Sequence, residues 1–170
     1  MAETEVKPVS PFVVGEAFPG IFDLLDLEDL ESTVDLEFTD NGKLMIIDVW
    51  QPSCPPCLAS MAYFDLLREE SEDAAHGLYG KLEVYGVSRI NENAQVNKIE
   101  NNEWDHIDTF YKCQPNDSLY TGLKTVPSVL LVDNCGIIIY WGKKSGYDFS
   151  VENLEAVWDA CVASQCLEDK

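Results

Sequence analysis

The feature that most constrains this chain is an apolar run that ends at a pair of cysteines. Leu44-Met-Ile-Ile-Asp-Val-Trp50 is almost continuously apolar, as a strand covered on both faces in the middle of a sheet must be. After three more residues comes Cys54-Pro-Pro-Cys57. Pro55 and Pro56 fit only the opening of a helix, where the amide hydrogens they lack would have had no partner. A helix therefore starts at the box, and Cys57, Met61, Phe64 and Leu67 continue it as one apolar stripe. Glu69 to Asp73, followed by Gly77, ends it.

That junction is chemically specific. A Cys-x-x-Cys at the mouth of a helix puts its first sulfur beside unsatisfied amides and the positive end of the helix dipole, which stabilise thiolate over thiol. Cys54 is the expected nucleophile. Cys57, about one turn further in and more buried, is the thiol expected to resolve a mixed disulfide on Cys54. Pro55 and Pro56 stiffen the loop and bring no donor, which leaves the tuning to the helix amides.

Around this junction the pattern alternates strands with helices. Residues 1–11, with Pro8, Pro11 and several charges, read as a poorly ordered leader, and 12–166 as a single domain. Ile21 to Glu37 sends mixed signals: Ile21, Leu24 and Leu25 suggest a short helix, whereas Val34, Leu36 and Phe38 alternate as a strand does. Leu82 to Val87 alternates as a second strand, Asn91 to Trp104 reads as a polar helix, and Lys112 to Asp117 as a loop. Val129–Val132 and Ile137–Trp141 flank Asp133-Asn-Cys-Gly136, a connection with glycine where a tight antiparallel turn needs it. Ser150 caps a last helix whose apolar positions are Val151, Leu154, Val157, Trp158, Cys161 and Val162.

Composition narrows the function classes. The chain has 170 residues, 46% of them apolar, in keeping with about one globular domain. Its longest apolar runs fall far short of the ~20 residues a spanning helix needs, so no membrane partner is expected. Eleven basic residues against 31 acidic ones leave a formal charge of −20, which repels phosphate backbones; nucleic acid is not an expected partner. The acidic stretches Asp23 to Glu37 and Glu69 to Asp73 are a solvated face or a surface for basic proteins. The opening Met1 to Pro8 lacks a basic region followed by an apolar one, so the expected setting is cytoplasmic and reducing. Six cysteines in such a setting are reactive, metal-bound or buried rather than a disulfide framework. Cys161 and Cys166 lie roughly 140° apart around one helix, and His76 and His106 lack ligand spacing, so a zinc site built on the box has no second pair.

Three segments together resemble the thioredoxin superfamily: Asp48-Val-Trp50 leading to Cys54-Pro-Pro-Cys57, Val126-Pro127-Ser128, and Asp133 to Gly136 followed by a strand and Gly142. The likeness covers roughly residues 12 to 165. The Pro-Pro box, Gly15 to Pro19 and the long stretch between Ser88 and Val126 are most similar to the TlpA-like and nucleoredoxin or tryparedoxin-like branches. The resemblance implies an α/β thioredoxin-like fold: a central mixed β-sheet flanked by helices, with an N-terminal extension and an insertion, residues 89–125, before a cis-proline. It implies that the Val126–Pro127 bond is cis and faces the box, with the Val126 backbone free to pair with an extended substrate. It also implies that Asp48 is a buried carboxylate serving the proton of Cys57; read without the family, Asp48 is a hydrogen-bonded structural residue. Trp50 and Ser53 fall beside the substrate, although a tryptophan in Trp50's place is more often core than function, and Ser53 departs from the tryptophan common before the first cysteine.

With Pro127 at the box, Cys135 lies roughly 20 Å away at ~3.3 Å per strand residue, which excludes it as a third redox partner of the pair. Cys161 reads as core and Cys166 as an exposed bystander. Cys113, in the insertion, is either a regulatory thiol or incidental. The activity implied is thiol–disulfide oxidoreduction on protein disulfides by a monomer. It needs no bound cofactor, and a separate reductase or dithiol donor recharges it. Two other readings stay open: an acidic thioredoxin-fold interaction module with little redox turnover, and a zinc-bound structural domain.

Overall fold

The computed structural model describes residues 12–28, 31–38, 42–88, 92–113 and 126–168. Its strands are β1 (Ile21–Asp26), β2 (Thr33–Leu36), β3 (Leu44–Val49), β4 (Leu82–Ser88), β5 (Thr109–Lys112), β6 (Ser128–Val132) and β7 (Ile138–Lys143). The helices are α1 (Pro55–Glu70), α2 (Glu92–Asn102) and α3 (Val151–Glu168), with one 3₁₀ turn at Lys144–Gly146. The strands form one mixed sheet in the order β2-β1-β5-β4-β3-β6-β7. Among the described residues no helix is long and apolar enough to cross a membrane. The leader, residues 1–11, lies outside the described residues.

The apolar run behaves as its composition requires. All six residues of β3 are buried, with β4 parallel on one side and β6 antiparallel on the other. Side chains alternate between the two faces. Leu44, Ile46 and Trp50 pack with α1 residues Cys57, Met61 and Phe64 and with Leu154 of α3. Met45, Ile47 and Val49 pack on the opposite face with Phe12, Phe18, Ile21 and Leu24. Asp48 has the parity of Leu44 and Ile46, so it points at α1. Across from it in β4 stands Gly86; a Cβ there would lie 2.6 Å from the Phe110 ring, so the glycine makes room for that ring.

The ambiguous stretch is a hairpin. β1 and β2 pair antiparallel with a register shift between Ile21 and Leu24, where Asp23 takes φ 58°. This bulge spaces the buried Ile21 and Leu24 three apart, which is why their pattern suggests a helix. The insertion holds α2 and a strand that its sequence did not reveal: β5, four residues long and parallel to β4. Residues 114–125 lie outside the description. The N-terminal segment pairs with the start of β7 on its outer edge, since Gly15 N–H donates to the Ile138 carbonyl and Ile138 N–H to the Glu16 carbonyl.

The cysteine reading needs one correction. Cys135, in the turn between β6 and β7, is disulfide-bonded to Cys161 of α3, with Cα atoms 5.9 Å apart. The sequence alone suggests two separate, unbridged side chains. The turn is shaped by Asp133, whose Oδ1 accepts from the amides of Cys135 and Ile137, both at 2.9 Å, and by Gly136 at φ 84°. α3 packs its Leu154 face on the sheet, and Cys161 follows two turns later on the same face, level with that turn.

A bond closing a loop with 26 residues of separation constrains the unfolded chain by about 3.5 kcal/mol in the loop-entropy account. Cys135→Ala should therefore lower the unfolding free energy by ~2–4 kcal/mol under oxidising conditions. Denaturant titrations with and without a strong reductant check this, because in reductant the difference between wild type and variant should nearly vanish. A difference that persists there would assign the loss to packing instead of the bond.

Candidate active site

The end of β3 delivers the chain to the mouth of α1. Cys54 is the helix N-cap in extended conformation, and Pro55 and Pro56 fill the first helical positions. In place of the usual cap oxygen the Cys54 Sγ accepts the Cys57 amide at 3.3 Å. The Leu58 amide donates to the Cys54 carbonyl at 3.1 Å. Cys54 and Cys57 are disulfide-bonded, with Cα atoms 5.2 Å apart. Their access to solvent differs: Cys57 is fully buried and Cys54 partly exposed. An external thiol or disulfide can therefore reach Cys54 and not Cys57. When the bond is reduced, the amide and dipole that face Cys54 favour its thiolate.

The second wall comes from the strand beside β3. Antiparallel pairing sets Val49 opposite Ser128, so the residues just before β6 lie level with the box. The Val126–Pro127 bond is cis, and the Val126 carbonyl oxygen is 4.0 Å from Cys54 Sγ. Pro56, Ser60, Val126 and Pro127 line a cleft of about 480 Å³ whose far wall is Lys143, Lys144 and Ser145. Ser53 is exposed beside Cys54. Trp50, expected next to a substrate, is not: it is fully buried and packs edge-on against Trp104 and Phe110 at 5.5 and 5.9 Å. The alternation of β3 turns it into the core under α1, so it supports the junction from below.

Asp48 lies under the same helix. It is fully buried, and burial pushes its carboxyl up from the usual carboxylate range to about 8, against the opposing pull of the Ser60 hydroxyl and Lys144. Ser60 Oγ–H donates to Asp48 Oδ2 at 3.0 Å. The other oxygen, Oδ1, has no hydrogen-bond partner among the described residues. Ser60 stands three residues beyond Cys57 on α1, where helix neighbours share a face. The buried sulfur and the buried carboxyl thus sit beneath one strip of helix. Ser60 and Lys144 are contributors the sequence reading missed. Ser60 could have been found as the one polar position within the stripe Cys57, Met61, Phe64.

The remaining cysteines lie elsewhere. Cys113 follows β5 and is buried in the face opposite α1. Cys166 is in the last turns of α3, and its side chain lies outside the description. Asp133, Cys135 and Cys161 hold their donor atoms within 4.8 Å of one another. Their two sulfurs are bonded to each other, however, and a zinc ligand must be a thiolate; the Asp133 carboxylate is already engaged in the turn. This trio lies at the opposite end of β6 from the box.

The Asp48 carboxyl ties stability to pH. Its folded value, about 8, exceeds the ~3.9 of an unfolded chain, so between those limits the folded state holds a proton that the unfolded state has lost. Its stabilising contribution is full below about pH 4 and is lost as the pH rises toward about 8. Asp48→Asn keeps the shape and removes the titration. We expect its unfolding free energy to fall less steeply over this range, with the difference between variant and wild type moving in the variant's favour by up to ~5 kcal/mol between about pH 4 and pH 8. Denaturant titrations at several pH values measure both; parallel pH curves for the two proteins would contradict the assignment.

No family model and no curated protein sequence matches the chain. Solved structures do. The thioredoxin domain of a thiol-disulfide oxidoreductase from Bacteroides vulgatus superposes with a TM-score of 0.59 at 19% identity, over 89% of this chain and 99% of that one. A thiol:disulfide interchange protein from Bacteroides sp. gives 0.61 at 20% identity, over 85% and 87% of the two chains. A peroxiredoxin-like protein from Aquifex aeolicus gives 0.60 at 18%, over 88% and 90%. With a mixed sheet flanked by helices, a cysteine pair at the opening of α1 and a cis-proline beside it, the chain has the thioredoxin-like fold.

Proposed function

We propose that this chain is a thiol–disulfide oxidoreductase that reduces protein disulfides through Cys54 and Cys57. The observation that carries the reading is the asymmetry of the bonded pair: an accessible sulfur at the helix cap, a buried one behind it, and a buried carboxyl beneath the same helix. The activities named for structures of the same fold support it. In the reduced protein the Cys54 thiolate attacks one sulfur of the substrate disulfide. A Cys54–substrate disulfide forms, and the other substrate sulfur leaves as a thiolate that takes a proton from water. In the fraction of molecules whose Asp48 is ionised, Cys57 gives its proton to that carboxylate, and its sulfur attacks Cys54 Sγ. The Cys54–substrate bond breaks, and the second substrate thiolate leaves with the proton that Asp48 returns.

Two electrons have passed from the box to the substrate, which leaves the Cys54–Cys57 disulfide seen in the structure. A separate reductase or dithiol donor must return them. A carboxyl poised near 8 can both accept and return a proton close to neutral pH, as a general base should. The Cys135–Cys161 bond bears on the setting. Such bonds persist in oxidising compartments, which supports one over the cytoplasmic setting expected from the sequence. Counting blocked thiols in protein quenched with acid straight from its own cells tests this.

Insulin reduction driven by dithiothreitol tests the activity. Cys54→Ser should abolish the rate above background, and Cys57→Ser should accumulate covalent partners through Cys54 that reductant releases. A wild type no faster than Cys54→Ser would instead favour the interaction module suggested by the −20 charge. Asp48→Asn should retain the attack by Cys54 and slow release from the mixed disulfide by ~10²-fold or more, the range typical of general acid–base catalysis; rapid-quench mass spectrometry separates the two steps.

A further inference from the structure

The cleft beside Cys54 is charged against the composition of the molecule. The chain carries 31 acidic and 11 basic residues, yet among the described residues the lining of the cleft includes Lys143 and Lys144 and no carboxylate. Neither lysine forms an ion pair with any described carboxylate, while Arg68 and His106 do. Asp148 and Glu70 are close enough to act electrostatically on the Tyr63 hydroxyl and still leave both ammonium groups unpaired.

The segment that carries the lysines is built as a platform. The Tyr140 hydroxyl donates to the Lys143 carbonyl at 2.6 Å, and its ring stacks on Tyr147 at 4.9 Å. Gly142 and Gly146 bracket the segment, and a Cβ on either would run into that same hydroxyl. Tyr63 of α1 donates to the Phe149 carbonyl at 2.8 Å, while the Lys144 ammonium sits 4.1 Å above the Tyr63 ring. The backbone between β7 and α3 is thereby pinned to the helix that begins at Cys54. Lys144 is held in place by its aromatic contact, and although it acts on the buried Asp48, that carboxyl keeps its proton near neutral pH and forms no ion pair with it.

We infer that Lys143 and Lys144 select disulfides whose reacting cysteine has a carboxylate two residues away in the peptide chain. The inference rests on the oxidoreductase reading and names the substrate class of that site. A substrate strand laid along Val126 presents alternate side chains to the same side, so the residue two away from the cysteine at Cys54 lies on that cysteine's side of the strand and within reach of the cleft that Val126 and Pro127 line. The field of a −20 molecule repels an acidic substrate as a whole, so the local lysines reward one acid beside the disulfide in an otherwise neutral or basic partner. The chemistry is the same two-electron exchange; the lysines bind and orient, and form no bond.

Matched 2-pyridyl disulfides of a short peptide, with Glu, Gln or Lys two residues from the cysteine, test this by single-turnover release of thiopyridone from the reduced protein. At low salt the Glu peptide should react about 5-fold faster than the Gln peptide, and the Lys peptide slowest, as expected for a few exposed charge pairs. The Glu-to-Gln ratio should fall toward one as salt approaches ~0.5 M and in Lys143→Gln/Lys144→Gln. Equal rates for the three peptides, or a double variant that keeps the ratio, would overturn the lysine assignment and leave the oxidoreductase reading standing.

The same peptides with serine in place of cysteine separate the two questions. Their binding, read from amide chemical shifts of Lys143 to Gly146, should be tighter for Glu than for Gln. A Glu preference in binding, with no reaction faster than that of Cys54→Ser, would overturn the oxidoreductase reading and retain the site. Neither preference nor reaction would overturn both.

Discussion

The register between β3 and β6 is the constraint on which the site depends. Val49 stands opposite Ser128 and Met45 opposite Val132, and that pairing brings two distant segments of chain to one end of the sheet. From one strand the backbone continues to the cap of α1, and into the other it arrives through the cis Val126–Pro127 bond. A slip of one residue would turn every side chain of β3 to the opposite face. Asp48 would leave α1, Trp50 would leave its aromatic pocket, and the Val126 carbonyl would no longer lie level with Cys54. The buried surfaces of β3 prevent this because both faces are packed, each against a different set of partners.

A core strand that carries an acid has to be stabilised elsewhere. Asp48 is tolerated because it keeps a proton near neutral pH and because Ser60 satisfies one oxygen; an ionised carboxylate in that place would lack solvation on Oδ1. The surrounding packing is correspondingly tight. Gly86 is the neighbour across the strand pair, Phe110 fills the space the glycine leaves, and Trp50 and Trp104 close the layer. α1 is held at its far end as well: Arg68 makes two hydrogen bonds to Asp108 at 3.0 and 3.1 Å, and Asp108 also accepts the Val84 amide at 2.7 Å. The helix that bears both cysteines is thus fixed to β4 at one end and to β3 at the other, so the cap geometry at Cys54 is preorganised.

What was legible in the sequence was what local chemistry decides. Proline at the first helix positions, the continuous apolar run, the glycine of the β6–β7 turn and the Ser150 cap, whose Oγ accepts the Asn153 amide, each signal their element without reference to the rest of the chain. What was not legible depended on tertiary contact. The bulge at Asp23 disguises a strand as a helix, and β5 has four residues whose burial comes from neighbours far away in sequence. Trp50 could be placed beside the box by position, but only the face alternation of β3 says that it points inward. Lys143 and Lys144 belong to the site only because the aromatic side chains of Tyr63 and Tyr140 fold that segment back onto α1.

The two disulfides show why the same bond does different work at the two ends of one sheet. Cys54 and Cys57 are three residues apart, so their bond closes a loop too short to restrain much of the unfolded chain, and reducing it releases little. Its first sulfur is partly exposed and accepts a helix amide. Both favour opening by an incoming thiol, since exchange requires access and a stabilised leaving thiolate. Cys135 and Cys161 are 26 apart, and their bond ties the last helix to a turn. Cys161 is 3% exposed and Cys135 partly exposed, so this bond too offers one sulfur to solvent, from the side of the turn. Loop length therefore divides the two bonds before any difference in sulfur chemistry is invoked: opening the box would leave the fold in place, as the proposed exchange requires, whereas opening the staple would loosen a helix.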